Sequence, residues 1–296
     1  MSGGLNTGVS TASIPRPMPT TLPCPDFDLR ITLECGQLFH WRRDGAGYVG
    51  MIGDSPCRAE QRSGGLVIDS DSVEKASDYF ALDHPMAEIY ASFPDDAPMN
   101  AAREFCAGMR LVRQPAWECL ATFITSSMKQ VAHIAQMSHA LRERFGGRVE
   151  WKGRTLFSYP TPDRLARCTE ADLRACSLGF RAKNLLGTAR MIASGEVDLA
   201  HMAVLDDDAA RTELCRLPGV GEKVANCALL FGFGRLRAFP VDVWIERVLR
   251  QLYFARKRRV TARRLREFSA SHFGPYAGYA QQYLFHHARM TWPRGK

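Results

Sequence analysis

The chain has 296 residues, 46% hydrophobic and 24% charged, with a net charge of +8 and an isoelectric point of about 9.1. That length carries one or two globular domains with a sizeable core, and no apolar run approaches a membrane span. The basic balance favours a polyanionic partner, nucleic acid first, while nine scattered cysteines without a C-x2-C pair fit reduced thiols rather than a disulfide framework or zinc site.

Residues 1–24, MSGGLNTGVSTASIPRPMPTTLPC, have no charged start followed by an apolar core. They read as a disordered tail rather than a signal peptide, so the expected location is the cytoplasm, at the nucleoid in a bacterial cell. Residues 25–105 are expected to form an N-terminal β-rich domain. FDLRITLECGQLFHW alternates apolar and polar side chains, and GYVGMIG and GGLVIDS are short runs bounded by Gly and Asp. Together they predict a small antiparallel sheet.

From about Asp71 the period turns helical. WECLATFITSSMKQVAHIAQMSHALRERFG, RAKNLLGTARMIASG, DDDAARTELCRL, VDVWIERVLRQLYF and GYAQQYLFHHARM all place apolar residues three and four apart. Asp206, Asp207 and Asp208 stand where a helix should start. Residues 106–292 are thus expected to be an all-α body, giving an α+β chain in which a small sheet domain packs on helices.

LPGVGEKVANC, Leu217 to Cys227, reads as a helix end, a glycine-rich turn and a second helix opening near Glu222. Glycine reaches backbone angles closed to other residues. Gly219, Val220 and Gly221 would turn backbone N–H groups outward at a helix N-terminus, where an anion sits favourably. In a basic protein the expected anion is a DNA backbone phosphate, held without sequence readout; the other reading is a turn used only for packing. Carbonyls of the same turn are also placed to hold a monovalent cation beside that phosphate.

Lys223 stands in the first turn of the second helix. The helix dipole and partial burial among Val220, Val224 and Cys227 both favour an unprotonated amine, which can attack an electrophilic carbon and form a Schiff base. Spacing alone leaves a solvated lysine on a phosphate equally open. In FPVDVWIERV, Asp242 follows Pro240 and precedes a helical pattern. Its ordinary role is a helix N-cap; a carboxylate there can also steer the Lys223 amine and stabilise positive charge developing on a sugar.

Leu217 to Ala225 followed by Pro240-Val241-Asp242 resembles the helix-hairpin-helix, Gly/Pro-Asp signature of base-excision DNA glycosylases. A lysine in the turn resembles the bifunctional members, which cleave the glycosidic bond and then nick the strand. Three further segments narrow the resemblance to the 8-oxoguanine DNA glycosylase family. GQLFHW (Gly36 to Trp41) is similar to its GQxFRW, GFRAKN (Gly179 to Asn184) to its GYRA, and GPYAGYAQQYLF (Gly274 to Phe285) to its GPYAGWAQxxLF. The likeness spans roughly residues 26 to 290.

The resemblance implies Lys223 as nucleophile and Asp242 as supporting carboxylate. It implies a base pocket in which the Gly36 carbonyl reads the N7 hydrogen that distinguishes 8-oxoguanine from guanine. Cys227 and Phe285 would sandwich the purine, and Gln281 would bond its Watson–Crick edge. It further implies K+ or Na+ on the carbonyls of Cys215, Leu217 and Val220, and Arg181 directed toward the estranged opposite base. No cofactor is required, and the partner is double-stranded DNA containing an oxidised purine, met by a monomer. Taken alone, Phe285 also reads as an ordinary core aromatic and Cys227 as a buried thiol.

Where the family commonly has SSNNNIARI, this chain has SSMKQVAHI. Met128 takes the place of the asparagine that fills the gap left by the flipped base, and His133 that of the arginine reading the opposite cytosine. Methionine is an adaptable apolar wedge and histidine offers fewer donors than arginine, so a weaker preference for cytosine is expected. Phe180 replaces a tyrosine, and Trp244 a histidine at a phosphate contact.

An iron–sulfur cluster, as in related pyrimidine and adenine glycosylases, needs four closely spaced C-terminal cysteines; the last cysteine is Cys227, so none is expected. Seven basic residues between Arg256 and Arg266 either extend the DNA surface or form a solvated face. Two other functions compete: an alkylated-purine glycosylase of the 3-methyladenine type, and a non-enzymatic helix-hairpin-helix duplex binder. Lys223 and GQLFHW argue against the first, Asp242 at its spacing against the second.

Overall fold

The computed structural model describes residues 18–255 and 260–293. Strand β1 (Thr20–Leu22) and helix α1 (Leu29–Glu34) precede a meander of β2 (Arg42–Asp44), β3 (Gly47–Ile52), β4 (Ser55–Arg62) and β5 (Gly65–Ser70). All neighbours pair antiparallel in the order β1-β5-β4-β3-β2, with Thr20 opposite Ile68 and Leu22 opposite Leu66 at the β1 edge. The predicted tail therefore ends before residue 20. Two threonines and a leucine suit an edge strand that pairs the otherwise open side of β5, and Cys24 is already buried. Residues 1–17 of that tail and residues 256–259 of the basic run lie outside the described residues.

FDLRITLEC departs from its predicted strand. Leu29–Glu34 is a helix capped by Asp28, whose carboxylate accepts from the Ile31 N–H at 2.8 Å. Its buried residues are Leu29, Thr32 and Leu33, the spacing of one helix face. Six residues are too few for periodicity to separate helix from strand.

Helix α2 (Val73–Tyr79) packs on the sheet through Ala76 and Tyr79, and α3 (Met86–Ala91), α4 (Ala97–Phe105), α5 (Ala116–Ser126) and α6 (Val131–Phe145) follow. Strands β6 (Arg148–Trp151) and β7 (Arg154–Phe157) then form a hairpin around Lys152 and Gly153, both at positive φ (48° and 75°). The body expected to be all-α thus holds two strands. Each has four residues, too brief to show alternation, and their turn is Lys-Gly rather than the Asn-Gly or Asp-Gly that marks a hairpin. Next come α7 (Pro162–Ala166), α8 (Glu170–Arg174), α9 (Arg181–Ala193), α10 (Leu199–Met202), α11 (Asp207–Cys215) and α12 (Glu222–Gly232). α13 (Val243–Val248) continues as a π-helical turn over Leu249–Tyr253 before α14 (Ala262–His272) and α15 (Ala277–Thr291). The class is α+β, and no helix of the described residues is long and apolar enough to cross a membrane.

Two apolar cores share the chain. Phe27, Leu33, Leu38, Ile68, Tyr79 and Phe80 lie in the sheet's core, and a larger helical core reaches from Cys35 to Ala288. The segment around Gly36 straddles them, since Leu33 and Leu38 belong to the first and Cys35 and Phe39 to the second. Beside it a buried Glu118–Arg142 ion pair receives His40, whose Nδ1 lies 3.4 Å from the carboxylate. Burial and the Arg142 charge hold the His40 imidazole well below its ordinary pKa, so it is neutral.

Candidate active site

The helix-hairpin-helix consists of α11, the turn and α12. Asp206 caps α11, accepting from the N–H groups of Asp208 and Ala209 at 3.0 and 2.8 Å. Inside the turn Gly219 has φ +79°, and a Cβ there would lie 2.7 Å from Asn184 Cβ. Thr188 Oγ1 donates to the Pro218 carbonyl at 3.0 Å, and Gly187 lets Pro218 approach. Helix α9, opened by GFRAKN, is therefore the back wall of the hairpin. The Val220 N–H is engaged by the Leu217 carbonyl at 3.1 Å. Of the three expected amides this one is therefore not free, while the first turn of α12 opens behind the N-cap Gly221, which is exposed and supplies no side chain.

Lys223 projects from that turn. Its Nζ lies 5.0 Å from the centre of the Phe123 ring, which stacks on Phe231 at 5.5 Å and meets Phe39 edge-on at 6.1 Å. Aromatic rings thus connect the amine to GQLFHW. One turn along α12, the Cys227 thiol is a hydrogen-bond neighbour of Lys223; burial pushes that thiol up to about 11 against the lysine's pull. Asp242 caps α13, accepting from the Ile245 N–H at 2.8 Å. Burial pushes its carboxyl up, opposed by the N–H groups of Ile245 and Trp244 and by the charge on Lys223. An apolar wall, a thiol and a carboxylate thus surround one amine, a setting that suits either of the two roles that spacing left open for Lys223.

Gly36 has φ +96°, and a Cβ there would lie 3.3 Å from Phe285 Cε1. Its neighbours in sequence are pinned. Gln282 donates to the Cys35 carbonyl at 3.1 Å. The Gln37 amide donates to the carbonyls of Thr32 and Arg110 at 2.9 and 2.7 Å and accepts from the Val112 N–H at 3.0 Å. Helix α15 meets α12 at Gly278, where any Cβ would collide with Leu230. Gln281 and Phe285 follow three and seven residues later on that same face. Gln281 is buried, yet its Oε1 has no partner among the described residues. An unmade hydrogen bond of this kind costs about 1–3 kcal/mol, so the amide oxygen is open to a donor from solvent or from a bound molecule.

Between α5 and α6, Met128 is 91% exposed with φ +55°. His133 is exposed in the first turn of α6. Arg181 is placed otherwise than expected: it is 4% exposed, and its Nε and Nη2 both donate to the Ser127 carbonyl while Nη1 donates to that of Leu178 at 3.3 Å. Its donors tether the Met128 loop instead of facing an opposite base, because the carbonyls of Ser127 and Leu178 both fall within reach of its planar fork. Phe180 is the exposed aromatic there, its ring 4.3 Å from the Arg181 guanidinium. Trp244 is half-buried, its ring 5.8 Å from the Arg247 guanidinium. Phe123, which faces Lys223, and Gln37 and Gln282, which pin the Gly36 segment, are neighbours of the candidate site that sequence reasoning missed; the one available signal was a pair of adjacent glutamines inside an apolar helical stretch.

Residues 21–120 match the family model described as the 8-oxoguanine DNA glycosylase N-terminal domain, and residues 121–271 that of HhH-GPD superfamily base excision DNA repair proteins. The chain is 30% identical over 303 residues to a probable N-glycosylase/DNA lyase of Methanothermobacter thermautotrophicus, covering 91% of this chain and 96% of the relative. It is 30% identical over 291 residues to an N-glycosylase/DNA lyase of Arabidopsis thaliana, covering 92% and 80%. Its fold matches that of the Clostridium acetobutylicum 8-oxoguanine glycosylase/lyase solved with double-stranded DNA carrying cytosine opposite 8-oxoguanine. There the TM-score is 0.85 and the identity 32%, covering 93% of this chain and 98% of that one. Fold and site together are those of a helix-hairpin-helix DNA glycosylase. Within that class the chain belongs to the 8-oxoguanine DNA glycosylase family of the HhH-GPD superfamily.

Proposed function

We infer that this chain is a bifunctional DNA repair enzyme that excises 8-oxoguanine from duplex DNA through a Schiff base at Lys223 and then nicks the abasic site. The surroundings of Lys223 carry this reading: Phe123, Cys227 and Asp242 enclose the amine beside the uncapped amides of α12. Those amides take a strand phosphate. The damaged nucleotide is extruded at a cost of a few kcal/mol, and Met128 fills the space it leaves. The base enters between Phe285 and Cys227, its N7–H donates to the Gly36 carbonyl, and Gln281 bonds its far edge. Lys223 attacks C1′ as the C1′–N9 bond breaks, with Asp242 stabilising the positive charge on the sugar. Cleavage of the C1′–O4′ bond, with a proton passing from the lysine nitrogen to O4′ through solvent, opens the sugar to the Schiff base; loss of a C2′ proton to solvent then breaks the C3′–O bond and expels the 3′ phosphate.

The carbonyls of Cys215, Leu217 and Val220 would hold K+ or Na+. They belong to the end of α11 and the turn after it, the Leu217 carbonyl also accepting from the Val220 N–H, and a set of neutral oxygens suits a monovalent ion. That ion would add positive charge beside the phosphate. The enzyme acts as a monomer in the cytoplasm, at the nucleoid in a bacterial cell, and Lys223 chemistry calls for no iron–sulfur cluster. Single-turnover release of 8-oxoguanine and of 3-methyladenine from matched duplexes tests the reading. Release of 8-oxoguanine supports it; release of 3-methyladenine alone would replace it with the alkylpurine function, and tight duplex binding without release would make the chain a binder.

A further inference from the structure

Arg266 Nη1 on α14 lies 3.0 Å from a carboxylate oxygen of Glu222, the residue between the N-cap Gly221 and Lys223. The basic run therefore ends against the hairpin. Its other described arginines turn elsewhere: Arg263 and Arg264 approach Glu267 of their own helix at 2.8 and 3.7 Å. The Glu222 pair is not what holds α14 in place. Thr261 caps that helix, its hydroxyl accepting from the Arg264 N–H at 3.2 Å, and Leu265 is buried in the helical core. Both side chains of the pair are about half exposed, 49% and 55%, and a surface pair of that kind contributes little to stability.

Glu222 sets a carboxylate at the mouth of the phosphate site. An acid in the first turn suits the helix dipole, yet it repels an anion brought to the same turn. Its charge is felt across the hairpin: burial pushes the Cys215 thiol at the end of α11 up, and the Glu222 charge adds to the rise. Arg266 cancels that charge, and a guanidinium with five N–H donors can hold a second anion at the same time. We propose that Arg266 is a DNA-backbone contact that neutralises Glu222 and donates to the strand phosphate at the first turn of α12, extending the DNA surface from the hairpin onto α14. The proposal rests on the phosphate site read above at α12. Arginine suits the place because its planar fork matches carboxylate and phosphate oxygens alike.

The test measures equilibrium binding of undamaged duplex between about 50 and 200 mM salt by the parent, Arg266→Gln, Arg266→Lys, Glu222→Gln and the double variant. Arg266→Gln should weaken binding about tenfold at low salt and lower the slope of log affinity against log salt by about one. Arg266→Lys, which keeps the charge, should keep the slope. Glu222→Gln should tighten binding about threefold, and in its background Arg266→Gln should cost only about threefold, since no bare carboxylate is then left beside the phosphate. An unchanged slope in Arg266→Gln, or equal losses in the two backgrounds, would overturn the proposal. Gly221→Asp separates this failure from that of the underlying reading. Aspartate is a good helix cap, and Gly221 has open space around it, so the variant sets a carboxylate on the α12 amides themselves. If Gly221→Asp leaves duplex affinity untouched, the phosphate site and the proposal fall together; if it weakens binding while Arg266→Gln does not, the proposal alone falls.

Discussion

Arg181 Nε donates to the carbonyl of Ser127 at 2.8 Å, one residue before Met128. An arginine at the start of α9 thus sets the loop that presents an exposed methionine at φ +55°. Met128→Ala should slow excision about tenfold, roughly 1.4 kcal/mol of lost stabilisation, while duplex affinity stays within about twofold. Arg181→Lys should show the same loss, because an ammonium cannot bridge both carbonyls in a planar fork. Fluorescence of 2-aminopurine beside the lesion reports extrusion; undiminished extrusion in both variants contradicts the wedge.

With Arg181 engaged inside the protein and His133 exposed in place of arginine, neither of the two positions expected to face the opposite base offers it a free guanidinium. Bidentate arginine contacts supply about 1–3 kcal/mol of base discrimination. Excision of 8-oxoguanine opposite C, T, G and A should therefore vary by no more than about tenfold. His133→Arg should raise the preference for cytosine. A hundredfold preference in the parent would contradict this.

Asp242 carries the opposed demands of fold and chemistry. Its carboxyl is raised above the ordinary 3.8 by burial, so the charged form is disfavoured in the native state. As pH rises through the raised value, ionisation costs the folded protein more than the unfolded one, and this group's contribution becomes destabilising. Asparagine caps a helix as well as aspartate and carries no charge. Asp242→Asn should lose excision and nicking yet melt above the parent at pH 7, the gap closing as pH falls toward 4. A variant that melts below the parent at pH 7 contradicts the sign.

Two glycines of the hairpin should respond differently to alanine. Gly219 combines φ +79° with close contact to Asn184, whereas Gly221 has φ −100° and open space around it. Gly219→Ala should lose about 1–3 kcal/mol of stability along with phosphate affinity, and Gly221→Ala should fold as the parent does. Equal stability of the two variants in urea melts would contradict the packing.

The hairpin was legible in the sequence because its signals are local: the Asp206 cap, the Pro-Gly turn and the apolar run of α12 lie within a few turns of one another. Asp242 was legible for the same reason, since a helix cap is a short-range pattern. What escaped is nonlocal or short. Gln37 matters through carbonyls of Thr32 and Arg110, and Arg181 through the carbonyl of Ser127, partners that no spacing rule finds. Helix α1 and the β6–β7 hairpin were too brief for periodicity, and β1 exists because β5 offers it an edge.

Borohydride reduction during reaction with duplex containing 8-oxoguanine tests the central claim most directly, since only an amine linked to C1′ as a Schiff base is fixed to DNA. The parent should give a covalent complex of protein and DNA, Lys223→Gln should give none while still binding the duplex, and the parent's cross-linked peptide should carry the adduct on Lys223. A covalent complex of equal yield in Lys223→Gln would contradict the account.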